Sequence, residues 1–177
     1  MTPHTTLNYE AIIAWAAVAT AIVTAAAVIV AAAAVFLESR RSRIALGIDL
    51  LMKLDERFNG AMRKDRAMGA RGLLENRPED CDDILDFFET LGMLVREGAL
   101  RDEFVWHYLF HWIRGYWQSA HDYVHRYRGK ESTVWQDFER LYRRTIDIEM
   151  GKRHCSESDL LLGKDAVHQF LIDEAGE

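Results

Sequence analysis

Apolar and polar positions divide the chain into two unlike stretches. Residues 11–37, AIIAWAAVATAIVTAAAVIVAAAAVFL, contain no charge and no Asn, Gln, Gly or Pro, whereas charge runs through everything that follows. A run of 27 residues, apolar but for Thr20 and Thr24, predicts a membrane-crossing helix. At about 1.5 Å per residue it reaches about 40 Å, against a hydrocarbon core of about 30 Å, so it should tilt or emerge at one end. Tyr9 and Trp15 near one end and Phe36 near the other stand where aromatic side chains favour the interface. The run of alanine at 31–34 imitates a signal-peptide cleavage site. Against that reading, the flank MTPHTTLNYE has no Lys or Arg, and the apolar run is about twice a signal core in length.

Beyond the run the apolar positions repeat at three and four residues, the period of a helix. Ile44, Ile48, Leu51, Leu54 and Phe58 extend the first helix to Asn59-Gly60, which ends or bends it. A weaker helix over 61–74 has only Met62, Ala70 and Leu73 on its apolar face and carries Arg63, Lys64, Arg66 and Arg71. NRPEDCDD is a loop whose aspartates suit the N-terminus of the next helix, with Ile84, Phe87, Phe88, Leu91, Leu94 and Val95 on one face and Gly98 at its close. Asp102 is placed to cap a long helix over 103–127. Its core stripe runs from Phe104 and Val105 through Tyr108, Leu109, Trp112, Ile113, Tyr116, Ala120, Tyr123 and Val124 to Tyr127. A further helix carries Val134, Trp135, Phe138, Leu141, Tyr142 and 145–148, and a short one over 165–172 is expected to dock back. The expected architecture is all-α: one N-terminal transmembrane helix followed by a small antiparallel helical bundle. The divisions are a flank at 1–10, the span at 11–37, the bundle at 38–150 and a tail with a short helix at 151–177.

Charge adds an orientation and removes a function class. From Glu38 onward lie all 22 Lys and Arg and 27 of the 28 acids, a net charge of −5, which argues against nucleic-acid binding. Arg40, Arg41 and Arg43 follow the apolar run directly, while only Glu10 precedes it, so the N-terminus should face out and the bundle the cytosol. The arginines also suit anionic lipid head groups. Thirteen of the 27 apolar positions are alanine, and Ala14, Ala17, Ala21, Ala25 and Ala32 share one side. Small residues in line let helices approach closely, which predicts a homo-oligomer or a partner helix in the membrane. Cys81 and Cys155 stand far apart and without metal-site spacing, as reduced cytosolic thiols do.

The segments ILDFFETLGMLVREGAL, FVWHYLFHW and WQDFERLY resemble a bacterial family known only as a domain of unknown function. The likeness covers about residues 44–142, and Phe87-Phe88-Glu89 with Gly92 and Gly98 is its most recognisable piece. Members of that family often carry one membrane helix before a helical domain, so the resemblance implies the same architecture and no activity.

Few constellations suggest chemistry. His107 and His111, and His121 and His125, form two pairs four residues apart on one stripe with Arg114 and Gln118, opposite the aromatic face. Such pairs can chelate a divalent metal, but without HExxH or further ligands they read as histidines facing solvent or a partner. Glu89, beside two phenylalanines, should pair with a buried arginine if it turns inward, and Arg114 is the candidate. Asp82, Asp83 and Asp86 read as charges at a helix N-terminus, and His154-Cys155 as a neighbour pair and no dyad.

No catalytic, cofactor-binding or metal-binding residue is therefore expected, and no cofactor. The expected function is a membrane-anchored helical interaction or scaffold module, non-enzymatic and self-associating, with the lipid bilayer and an unidentified cytosolic protein as partners. The alternative is a membrane effector whose cytosolic domain senses a ligand or metal and controls assembly of the anchor, by analogy with small anchored proteins of bacterial defence systems.

Overall fold

A computed structural model describes the backbone of residues 4–176 and the side chains of 13–15, 20, 24 and 27–176. All regular structure among them is helical: α1 (His4–Asn59), α2 (Arg63–Leu74), a 3-10 turn (Pro78–Cys81), α3 (Asp82–Arg96), α4 (Asp102–Arg128), α5 (Gln136–Arg153), α6 (Glu157–Leu160) and α7 (Lys164–Ala175). The chain forms two compact units, residues 1–45 and 46–177.

The first unit contains a single helix segment. Its described apolar side chains, among them Trp15, Ile29, Val35 and Phe36, are exposed. Among the described residues no helix is long and apolar enough to cross a membrane. The expected span at 11–37 lies partly outside the described side chains, as do Ala17, Ala21 and Ala25 of the alanine stripe.

In the second unit the end of α1 supplies Gly47, Leu51 and Phe58 to the core, with Leu50 and Leu54 beside them. Ile48, expected on that face, is exposed; the buried face passes through Gly47 instead, beneath the carbonyl of Ala99. Phe58 stacks on Phe87 at 4.9 Å, Phe88 on Phe138 at 4.9 Å, and Trp117 meets Phe138 edge-on at 5.2 Å. These rings join α1, α3, α4 and α5 in one core, and such contacts add to the area they bury. The scant apolar face of α2 has a steric explanation: Gly69 and Gly72 are buried against residues 77–81, which approach too closely for side chains.

The long helix corrects two expectations. Tyr108 and Tyr127 are exposed, 44% and 37%, because they stand off the buried stripe that passes through Val105, Leu109, Ile113 and Val124; Tyr116 is fully buried, while Trp112 and Tyr123 are half-buried. Arg101, not Asp102, is the N-cap residue and makes no side-chain capping bond; Asp102 lies in the first turn and accepts the Glu103 N–H at 3.0 Å. At the next junction Trp135 adopts a left-handed backbone, φ 53°, a conformation a bulky residue enters only when its surroundings hold it there. Its indole N–H donates to Asp86 at 2.8 Å, and Arg128 donates to its carbonyl at 2.7 Å.

The last helix is part of the core. Phe170 lies over Gly115 of α4, where a Cβ would meet its ring, and Leu171 and Ala175 are buried as well. Glu174 of α7 receives two bonds from Arg66 of α2, 2.8 and 2.6 Å, and one each from the Trp112 indole, 2.9 Å, and the Tyr116 hydroxyl, 2.9 Å.

Candidate functional site

Because α5 and α7 each pack on α4, a cleft of about 1150 Å³ remains between them above residues 117–125. Trp117, stacked on Tyr142 at 5.5 Å, lies at its base with Ile146 and Leu171. Gln118 braces one end: its amide donates to the Tyr142 hydroxyl at 3.1 Å, and its carbonyl oxygen accepts the Leu162 N–H at 2.7 Å. That bond ties the α6–α7 connection to α4 and leaves Leu161 exposed on the lip. Glu139 lies on the α5 side. Burial raises its carboxyl, but Arg128 and Arg143 outweigh that and hold it below the usual carboxylate range.

The four stripe histidines are exposed. Only His121 and His125 line the cleft, with ring centroids 4.3 Å apart. His107 and His111 lie outside it, and His111 sets its edge on Phe170 at 5.4 Å. His168 of α7, which no sequence motif singles out, lines the same cleft. Among the described residues no three His, Cys, Asp or Glu side chains converge as a metal site requires. On the spacing argument, which offers no HExxH and no further ligands, zinc is expected to leave the melting temperature unchanged. Replacing His107, His111, His121 and His125 together by Gln should leave folding nearly intact. A saturable zinc stabilisation that disappears in that variant would make the protein a metal responder.

Glu89 and Arg114 do not pair. Glu89 reaches across to α5 and accepts the Phe138 N–H at 2.7 Å, so it satisfies an otherwise orphaned donor in that helix's first turn. Arg114 lies over the Phe110 ring at 5.3 Å with its Nε buried and without a hydrogen-bond partner, and burial lowers its pKa against the pull of Glu149. The α3 aspartates turn out to orient aromatic donors: Asp82 accepts from the Tyr123 hydroxyl at 2.8 Å, and Asp86 from Trp135. Cys81 is buried, which pushes its thiol up to about 12 and takes it far from nucleophilic use. Cys155 is half-buried, and both cysteines are free. The cleft therefore brings together an apolar base, a charged rim and histidines, an arrangement suited to binding; neither Glu89, Arg114 nor either cysteine lies in it.

The chain belongs to the family described as a domain of unknown function, DUF4760, which matches residues 11–145. No curated protein and no solved structure matches it.

Proposed function

We propose that the protein is a single-pass membrane protein of the bacterial inner membrane whose helical unit faces the cytosol and recruits a partner protein through the α5–α7 cleft, without catalysis. The exposed apolar surface of the first unit carries the anchoring half of this reading. Trp15 is 74% exposed, Ile29 69% and Phe36 67%, and among the described residues of that unit nothing covers them. Each such side chain favours leaving water by about 1.5–3 kcal/mol, and a lipid bilayer or a partner helix supplies the surroundings. The family match supports the same reading, because it takes in residues 11–37 together with the helical unit as far as residue 145. The side chains Arg40, Arg41 and Arg43 then set the orientation.

A reporter fused after residue 177 should be active only on the cytosolic side, and alkaline extraction should leave the protein in the membrane fraction. Activity outside the membrane would reverse the topology and reopen the signal-peptide reading. The second reading, an effector that senses a ligand, draws on His121, His125 and His168, which share the cleft. Under either reading the alanine-rich segment is the proposed place of self-association.

A further inference from the structure

We infer that the cleft between α5 and α7 receives a basic amphipathic helix of a partner protein, an inference that rests on the recruitment reading above and names the partner's chemistry.

The size of the space comes first. At about 1150 Å³ the cleft exceeds most small-molecule pockets, which span about 300–1,000 Å³. It is a trough between two helices that both rest on a third, the setting in which helix-in-groove recognition works. Apolar groups lie where such a helix would seat its face: Ile146 and Leu171 along the base and Leu161 on the lip, 56% exposed.

Charge then selects the occupant. Asp122, Asp147 and Glu157 line the cleft, and among the described residues none of the three has a Lys or Arg partner; Asp122 meets only the His121 ring, at 3.3 Å. Of the cations there, Arg143 is already bound to Glu139, at 2.5 Å, which leaves Lys164. An excess of unpaired carboxylates around an apolar base complements Lys and Arg flanking a leucine-type stripe, and it repels anionic head groups. The chain's own basic helix, α2, does not meet the need in a second copy, because Gly69, Ala70 and Gly72 of its inner face are already buried. A partner protein is left as the occupant.

The test uses the full chain in zwitterionic micelles, with empty micelles as the blank. Its probes are fluorescent peptides of about four helical turns. One has a leucine face flanked by lysines, one has glutamates in place of the lysines, and one has the lysine composition in an order that forms no apolar face. Only the lysine amphipathic peptide should bind saturably, and its affinity should fall as salt is raised. Asp147→Lys with Glu157→Lys should weaken it about tenfold or more. Asp83→Lys with Glu131→Lys, the same change in net charge away from the cleft, should not, and melting curves confirm that both variants fold. Leu161→Ala gives a charge-neutral check and should also weaken binding. Equal binding by both charge variants would mean attraction to overall negative charge and would overturn the inference. Equal binding by the lysine and glutamate peptides would overturn it too, as would self-association abolished by the cleft variants, which would make a second copy the occupant. If no peptide binds while alkaline extraction still leaves the protein in membranes, the basic-helix inference fails and the anchor stands.

Discussion

Replacing Glu174 by alanine is expected to cost the helical unit about 3–5 kcal/mol, the range seen when one member of a buried ion pair is removed. The carboxylate is a hub. Its two oxygens take four bonds from three side chains on two helices, and the Glu174 and Arg66 side chains are 9% and 12% exposed. Without it the Arg66 guanidinium keeps Asn59 as an acceptor, at 3.2 Å, and the Phe58 ring beneath it at 4.3 Å, but no counter-charge. The Trp112 N–H and the Tyr116 hydroxyl lose their carboxylate, and each buried donor left unpaired adds to the loss. The helix α7 itself is then held by Phe170, Leu171 and Ala175, so it should loosen before the rest. Urea unfolding should show the deficit, with a fall in melting temperature on the order of 10 °C. Glu174→Gln, which keeps shape and acceptor but not charge, should fall between alanine and the native residue. A loss under about 1 kcal/mol for alanine would mean that the Glu174 hub contributes little to holding α7.

This hub marks the boundary between what a single sequence yields and what it does not. Helical period identifies α3, α4 and α5, because one face of each is buried along its middle, and Gly98, φ 72°, closes α3 where expected. The period fails at Tyr108 and Ile48, which are exposed between buried neighbours (Val105 and Leu109, Gly47 and Leu51), because it cannot tell how wide the buried face is. It is silent on carboxylates. Glu174 sits in an outwardly polar tail, 108 residues from Arg66, and Glu89 meets a backbone N–H 49 residues away, so neither pairing leaves a local trace. Arg114 is the chemically sensible partner for Glu89, but it lies over Phe110 of its own helix α4, whereas Glu89 reaches α5. The cleft is less accessible still, since it exists where two helices that share α4 fail to close on each other, and His168 enters it only because α7 docks. The histidine pair His121 and His125 could be read from spacing; its companions could not.

The second large effect is expected at Gly92. There α3 approaches α5 so closely that an added Cβ would overlap the carbonyl carbon and oxygen of Asp137, backbone atoms that cannot rotate away as a flexible side chain would. Asp137 is also anchored from both sides, by Arg96 of α3 and by Arg140, 2.8 Å, of its own helix. Relief would require α5 to move outward as a body. That motion would lengthen the Glu89 to Phe138 bond, 2.7 Å, and part the Phe88–Phe138 stack at the centre of the core. Overpacking of this kind costs about 1–3 kcal/mol where neighbours can yield, and the rigid backbone puts Gly92→Ala at about 3 kcal/mol or above. The intrinsic helix preference of alanine over glycine works the other way by only about 1 kcal/mol, so the sign is not in doubt. Gly151, in α5 and with open space around its Cβ position, provides the control. Gly151→Ala should be neutral or stabilising by up to about 1 kcal/mol, and the two variants measured side by side in urea should differ by about 3 kcal/mol or more. Equal stabilities would show that α3 and α5 can separate freely, and the close approach at Gly92 would then not hold the core together.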